Sequence, residues 1–186
     1  MLKNSKFNEE QMLEILHRCC VEQFMQACNT VLVGGADEPL YQPAQAIGEA
    51  HKIFYSHNYL ASALHELAHW CVAGDKRLEL LDYGYWYAPD GRSAEQQSEF
   101  ERVEIKPQAL EWILSQACGR RFRVSADNLT ANAQASSEFK QNIYAQVLHY
   151  CEYGVPSRAK ALILSLHEQT CRSNALCKSL YSMDDI

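Results

Sequence analysis

Between Tyr59 and Ala73 the apolar residues Leu60, Ala63, Leu64, Leu67, Ala68, Cys71 and Val72 recur at intervals of three and four. That spacing draws one stripe along an α-helix, and Gly74 stands where a residue that ends a helix belongs. Embedded in the stripe is His65-Glu66-Leu67-Ala68-His69, an HExxH pattern. Residues four apart lie one above the other on a helix, so both imidazoles can reach a single metal ion. Composition alone predicts only about 0.02 such patterns in a chain like this. A purely structural role would place three polar groups inside an otherwise apolar helix, where each unpaired one is costly. A metal-binding helix is therefore the element around which the fold has to be built.

The rest of the chain reads as an ordinary globular protein. Its 186 residues are close to one domain's allotment, so a single domain over 1–186 is expected. About 70% of the surface of such a chain is buried on folding, enough for a core without disulfide support. With 22% charged and 47% hydrophobic residues, collagen-like, coiled-coil and disordered classes are excluded. No repeat, low-complexity tract or linker divides it. The net charge of -6 argues against direct nucleic-acid binding, which needs a cationic face, and suits metals or cationic ligands. No signal-like or membrane-length apolar run is present, so a cytoplasmic location without a membrane partner is expected. The eight cysteines form no CxxC pair and read as reduced thiols, mostly in the core.

Asn8 and Gln11 form a capping box for a helix over 9–28, and Thr30–Val33 reads as a strand ending at Gly34-Gly35. The stretch through Glu38-Pro39 and Gln42-Pro43 reads as loop, and Lys52–Tyr55 as a second strand. Tyr83–Gly91 reads as an aromatic strand running into a turn. Ser93 predicts a helix ending near Lys106, and Pro107 opens another that stops at Gly119. Phe122–Val124 reads as a short strand, with two further helices over 136–153 and 156–170. The fold class is α+β, mostly α, with a small sheet beside a zincin-like HExxH helix.

A third metal ligand is needed, and Asp75, Glu99, Glu101 and Glu104 are the downstream candidates. A metzincin continues HExxHxxGxxH, but here Val72 and Asp75 occupy the glycine and final histidine positions, so that class is excluded. Glu101 and Glu104 share a helical face; Glu104 is favoured as the ligand, with Glu101 second choice and otherwise supporting it. Two chemistries fit two histidines and a carboxylate. With zinc, Glu66 acts as general base on a bound water and the protein is a metallopeptidase. With iron, the same ligands form a facial triad with positions open for oxygen. Ligand type does not choose between them.

Beyond the HExxH helix, Gly84-Tyr85-Trp86-Tyr87-Ala88-Pro89-Asp90-Gly91-Arg92, Glu101-Arg102-Val103-Glu104-Ile105-Lys106-Pro107-Gln108-Ala109-Leu110-Glu111-Trp112 and Arg123-Val124-Ser125-Ala126-Asp127-Asn128-Leu129 follow in order. With Ala61–Cys71 they resemble the bacterial elongation factor P hydroxylase family over nearly the whole chain. The resemblance implies a cytoplasmic enzyme that hydroxylates the β-lysylated lysine of elongation factor P. It also implies a divalent metal, Fe(II), with molecular oxygen as co-substrate. No flavin, nicotinamide or 2-oxoglutarate fingerprint names the electron donor. By position, His65, His69 and Glu104 become the metal ligands, and Glu66 orients a ligand or bound water. Tyr85 and Trp86 could wall a slot for a long cationic side chain, with Asp90 or Glu111 meeting an ammonium group. Arg120, Arg121 and Arg123 form the one dense basic cluster, read as a solvated face.

Overall fold

The computed structural model describes residues 7–82, 92–125 and 135–186. Helix α1, Glu9–Cys20, opens on the capping box: Gln11 N donates to Asn8 Oδ1 at 2.8 Å, and Asn8 N donates to Gln11 Oε1 at 3.0 Å. It continues through a π-helical segment, Val21–Met25, into a single α-turn, α2, Gln26–Cys28. Asn29 ends the run at φ 46°, a conformation that short polar side chains tolerate. Met12, Leu16, Cys19 and Cys20 line the buried face.

Three strands follow: β1, Thr30–Ala36; β2, Leu40–Gln42; and β3, His51–Ser56. The order is β1-β3-β2, with β1 parallel and β2 antiparallel to β3. Alternation decides what faces inward: Ile53 and Tyr55 are buried, while Lys52 and Phe54, which alternate with them, are half-exposed. β2 corrects the expectation of a loop there. Three residues are too short to show a pattern, and only pairing with β3 makes them a strand.

Helix α3, Leu60–Val72, carries HExxH and packs against both β3 and α4. Its first amide is met from another element, since Leu60 N donates to Glu9 Oε1 at 3.2 Å. Its far end is held by Arg158, whose Nη2 donates to the carbonyls of Trp70, at 3.0 Å, and Ala73. The same guanidinium stacks 4.8 Å from the Trp70 ring centroid.

The expected pair of helices meeting at Pro107 is instead one helix, α4, Ala94–Cys118, with Pro107 in its interior. An interior proline costs roughly 3 kcal/mol in an isolated helix. Here every residue from Pro107 to Ser115 is buried, and packing against α3, α5 and α6 outweighs that local cost. Gly119 closes α4 at φ 66°. Phe122–Val124 has no regular secondary structure and pairs with no strand among the described residues, so the strand expected there is not formed. The aromatic run Tyr83–Gly91 lies outside the described residues.

Helices α5, Ser137–Tyr153, and α6, Ser157–Thr170, complete the helical layer. The buried apolar residues form one contiguous core, with Trp112, Leu64, Leu67 and Ile113 among its largest fully buried side chains. All eight cysteines are free, with Cys19, Cys20, Cys71 and Cys118 buried. Among the described residues no helix is long and apolar enough to cross a membrane.

Candidate metal centre

The four-residue spacing on α3 brings His65 Nε2 and His69 Nε2 to 3.1 Å from each other. Glu104, from the first half of α4, closes the group: its Oε1 lies 3.1 Å from His69 Nε2 and its Oε2 3.9 Å from His65 Nε2. Ligand atoms bonded at ~2.1 Å to one ion stand about 3.0–3.4 Å apart, depending on geometry. The two separations made by His69 fall in that window, the His65–Glu104 separation is longer at 3.9 Å, and the three residues are the one such cluster among the described residues. Their donor set of two imidazoles and a carboxylate is what zinc and non-haem iron accept.

Residues further along α4 build the support for this cluster. His65 Nδ1 donates to Glu111 Oε2 at 2.8 Å, which leaves Nε2 facing Glu104. Gln108 Nε2 donates to Glu104 Oε2 at 3.3 Å and to the Ser125 carbonyl at 2.8 Å. Ser125 N in turn donates to Gln108 Oε1 at 3.1 Å, so the amide is clamped from both ends. Glu104, Gln108 and Glu111 are spaced i, i+4, i+7 and are all buried. Sequence reasoning overlooked Gln108 and gave Glu111 only an ammonium-binding role. The visible signal was three polar side chains at helical spacing in an otherwise apolar stretch.

The electrostatics follow from crowding charges in a largely buried pocket. Burial opposes charge on His65, but the carboxylates of Glu111, Glu104 and Glu66 outweigh it and push its pKa up to about 10. Burial likewise opposes charge on Glu104, yet His69 and His65 prevail and hold it at about 2. For Glu66 burial wins over both histidines, and its carboxyl is raised above the ordinary range. Glu66 thus holds a proton more readily than a surface carboxyl while lining the same cavity as His65 and Glu104.

The other sequence candidates sit elsewhere. Glu101 faces α5, where its Oε2 accepts from Ser136 Oγ at 2.7 Å beside the start of that helix. Glu99 pairs with Arg102, and Asp75 is exposed in the turn after α3. Tyr85, Trp86 and Asp90 lie outside the described residues. Arg121 and Arg123 are exposed, Arg120 less so, and Arg123 lines the same cavity as Glu111.

A family model described as elongation factor P hydroxylase matches residues 20–179. The chain belongs to the elongation factor P hydroxylase family. A curated relative from Haemophilus influenzae, an elongation factor P lysine hydroxylase, is 50% identical over 153 residues, covering 82% of this chain and 84% of the relative. The span matched by the hydroxylase family contains every residue of the cluster and its support, from His65 to Ser125. Glu9, which meets the first amide of α3, lies before the hydroxylase match.

Proposed function

We propose that this chain is a metal- and oxygen-dependent hydroxylase acting on the β-lysylated lysine of elongation factor P in the cytoplasm, with residues 1–186 forming one catalytic domain. What carries the reading is the conjunction of two histidines and one carboxylate at chelating distances with 50% identity to a relative named for that activity. His65, His69 and Glu104 would hold the ion, Fe(II) in this reading, in the donor arrangement of the zincin HExxH helix. The ion supplies the capacity to activate molecular oxygen.

The protein's own groups do the remaining work. Glu111 fixes the tautomer and orientation of His65, as an outer carboxylate does for a ligating imidazole. Gln108 holds the Glu104 carboxylate in place through its amide. Glu66, whose carboxyl burial raises above the ordinary range, stands at the cavity wall and orients a bound ligand. A cavity of about 340 Å³ lined by Glu66, Glu104 and Glu111 suits a long cationic side chain. Tyr85 and Trp86 are assigned to walling that chain, and Asp90 to its ammonium group.

Intact mass of β-lysylated elongation factor P, after incubation with the protein, ferrous iron and a reductant, tests this directly. A gain of one oxygen atom is expected in air, with none in anaerobic buffer or with His69→Ala. Cleavage of unrelated peptides that disappears in Glu66→Gln, without any oxygen gain, would overturn the reading in favour of a zinc peptidase.

A further inference from the structure

Two cavities open on Glu104, and their walls carry opposite charge. The one assigned above to the cationic substrate is lined by Glu66, Glu104 and Glu111 against a single arginine, Arg123. The other, of about 420 Å³, gathers Arg77, Arg92, Arg102 and Lys106 against Glu99 and Glu104. Both share His69, Phe100 and Glu104, so each has direct access to the candidate metal ligands.

The second cavity is lined by both cationic and apolar side chains. Arg77 Nε pairs with Asp82 and Arg102 with Glu99, while Lys106 has no ion pair among the described residues. The Arg92 guanidinium lies 4.0 Å above the Phe100 ring centroid, and Val72 and Pro107 extend the apolar wall. A compact inorganic anion would satisfy the cations but leave that wall bare. A carbon chain ending in a carboxylate satisfies both.

We infer that this basic cavity is a binding site for a small organic carboxylate, with its anionic end toward Arg77 and Lys106 and its carbon skeleton against Val72, Phe100 and Pro107. The ligand sits beside His69 and Glu104. Binding itself does not depend on the hydroxylase reading; only its placement next to a metal ion rests on it.

Calorimetry of the full chain with succinate and with inorganic phosphate is the test. Succinate is expected to bind saturably with a Kd below about 1 mM, and phosphate at least about tenfold more weakly. Lys106→Gln, at an exposed position, should weaken succinate about threefold or more, and Arg77→Glu with Lys106→Glu about tenfold. Arg121→Glu, an exposed cation away from the cavity, should leave it unchanged. No succinate binding up to about 10 mM, phosphate binding as well as succinate, or an equal loss with Arg121→Glu overturns the inference. With Mn(II) shown to be bound, succinate protons should relax faster, and the effect should vanish in His69→Ala. Saturable binding without that relaxation puts the anion elsewhere and also overturns it. Failure of Mn(II) to bind counts against the metal reading, and calorimetry then decides the carboxylate site by itself.

Discussion

His65 and Glu111, 46 residues apart in the chain, are joined by a 2.8 Å hydrogen bond that fixes which imidazole nitrogen faces Glu104. The carboxylate accepts from Nδ1, so Nε2 is the atom left to meet an ion, and the negative charge behind the ring raises its basicity. Glu111→Gln keeps the size and an acceptor but removes the charge. Metal affinity should fall about 10–100-fold, measured by competition with a chelator, with little change in thermal unfolding of the metal-free protein. An unchanged affinity would remove Glu111 from this role.

Metal uptake should be coupled to pH through the same histidine. Without metal, His65 is pushed up to about 10, so near neutrality an incoming ion has to displace its proton. Glu104, held at about 2, has no proton to lose above pH 5. Affinity should therefore rise with pH, approaching tenfold per unit between roughly 7 and 9. Calorimetry in buffers of different ionisation enthalpy should find about one proton released per ion at pH 7.5. Zero protons released would contradict the charged His65.

The metal-free protein should also show this cluster in its stability profile. His65 has a raised folded pKa, so its contribution is complete below its ordinary value near 6.5 and is lost as pH rises through about 10. Glu104 has a depressed one, so its contribution is complete above about 4.5 and is lost as pH falls through about 2. Both are present together between these ordinary values. Urea unfolding in chelator should show an alkaline decline that is shallower in His65→Ala; identical slopes would rule out the linkage.

Arg158 closes the end of the HExxH helix through two carbonyls, Trp70 and Ala73, and through the Trp70 ring. Arg158→Met retains the aliphatic stem and loses both charge-assisted bonds. Destabilisation of about 2–4 kcal/mol is expected by chemical denaturation, and Arg158→Lys should recover only part of it. A variant as stable as the parent would show that the helix end needs no such anchor.

Gly34 leaves no room for a side chain. A Cβ there would stand 2.5 Å from Tyr55 Oη and 2.6 Å from Asn58 Oδ1. Tyr55 is itself pinned by a 2.9 Å hydrogen bond to His17 Nε2, so it cannot swing aside freely. Gly34→Ala should cost about 1–3 kcal/mol in thermal unfolding, and pairing it with Tyr55→Phe should recover part of that.

Periodicity in the local sequence was enough for α1, α3, α5 and α6, because each carries its own apolar stripe and its own start or stop signals. The i, i+4 placement of His65 and His69 is likewise a property of one helix and needs no other element. Chain-wide motifs were also enough to identify the family, since the runs that carry the resemblance are contiguous stretches of sequence.

Everything that required two distant segments to meet was decided by packing. Glu101 and Glu104 share a face in the sequence, but the docking of α4 on α3 brings Glu104 to the histidines while Ser136 takes Glu101. Pro107 obeys a local rule that ends helices, and the burial of the residues around it on α3, α5 and α6 overrides that rule. β2 is three residues that exist as a strand only because β3 lies beside them. The Gln108 clamp on Ser125 and the Glu111 bond to His65 cross 17 and 46 residues, distances over which no spacing pattern carries information. A helix is stabilised by neighbours in the chain and can be read from them; a metal centre's outer support is stabilised by neighbours in space.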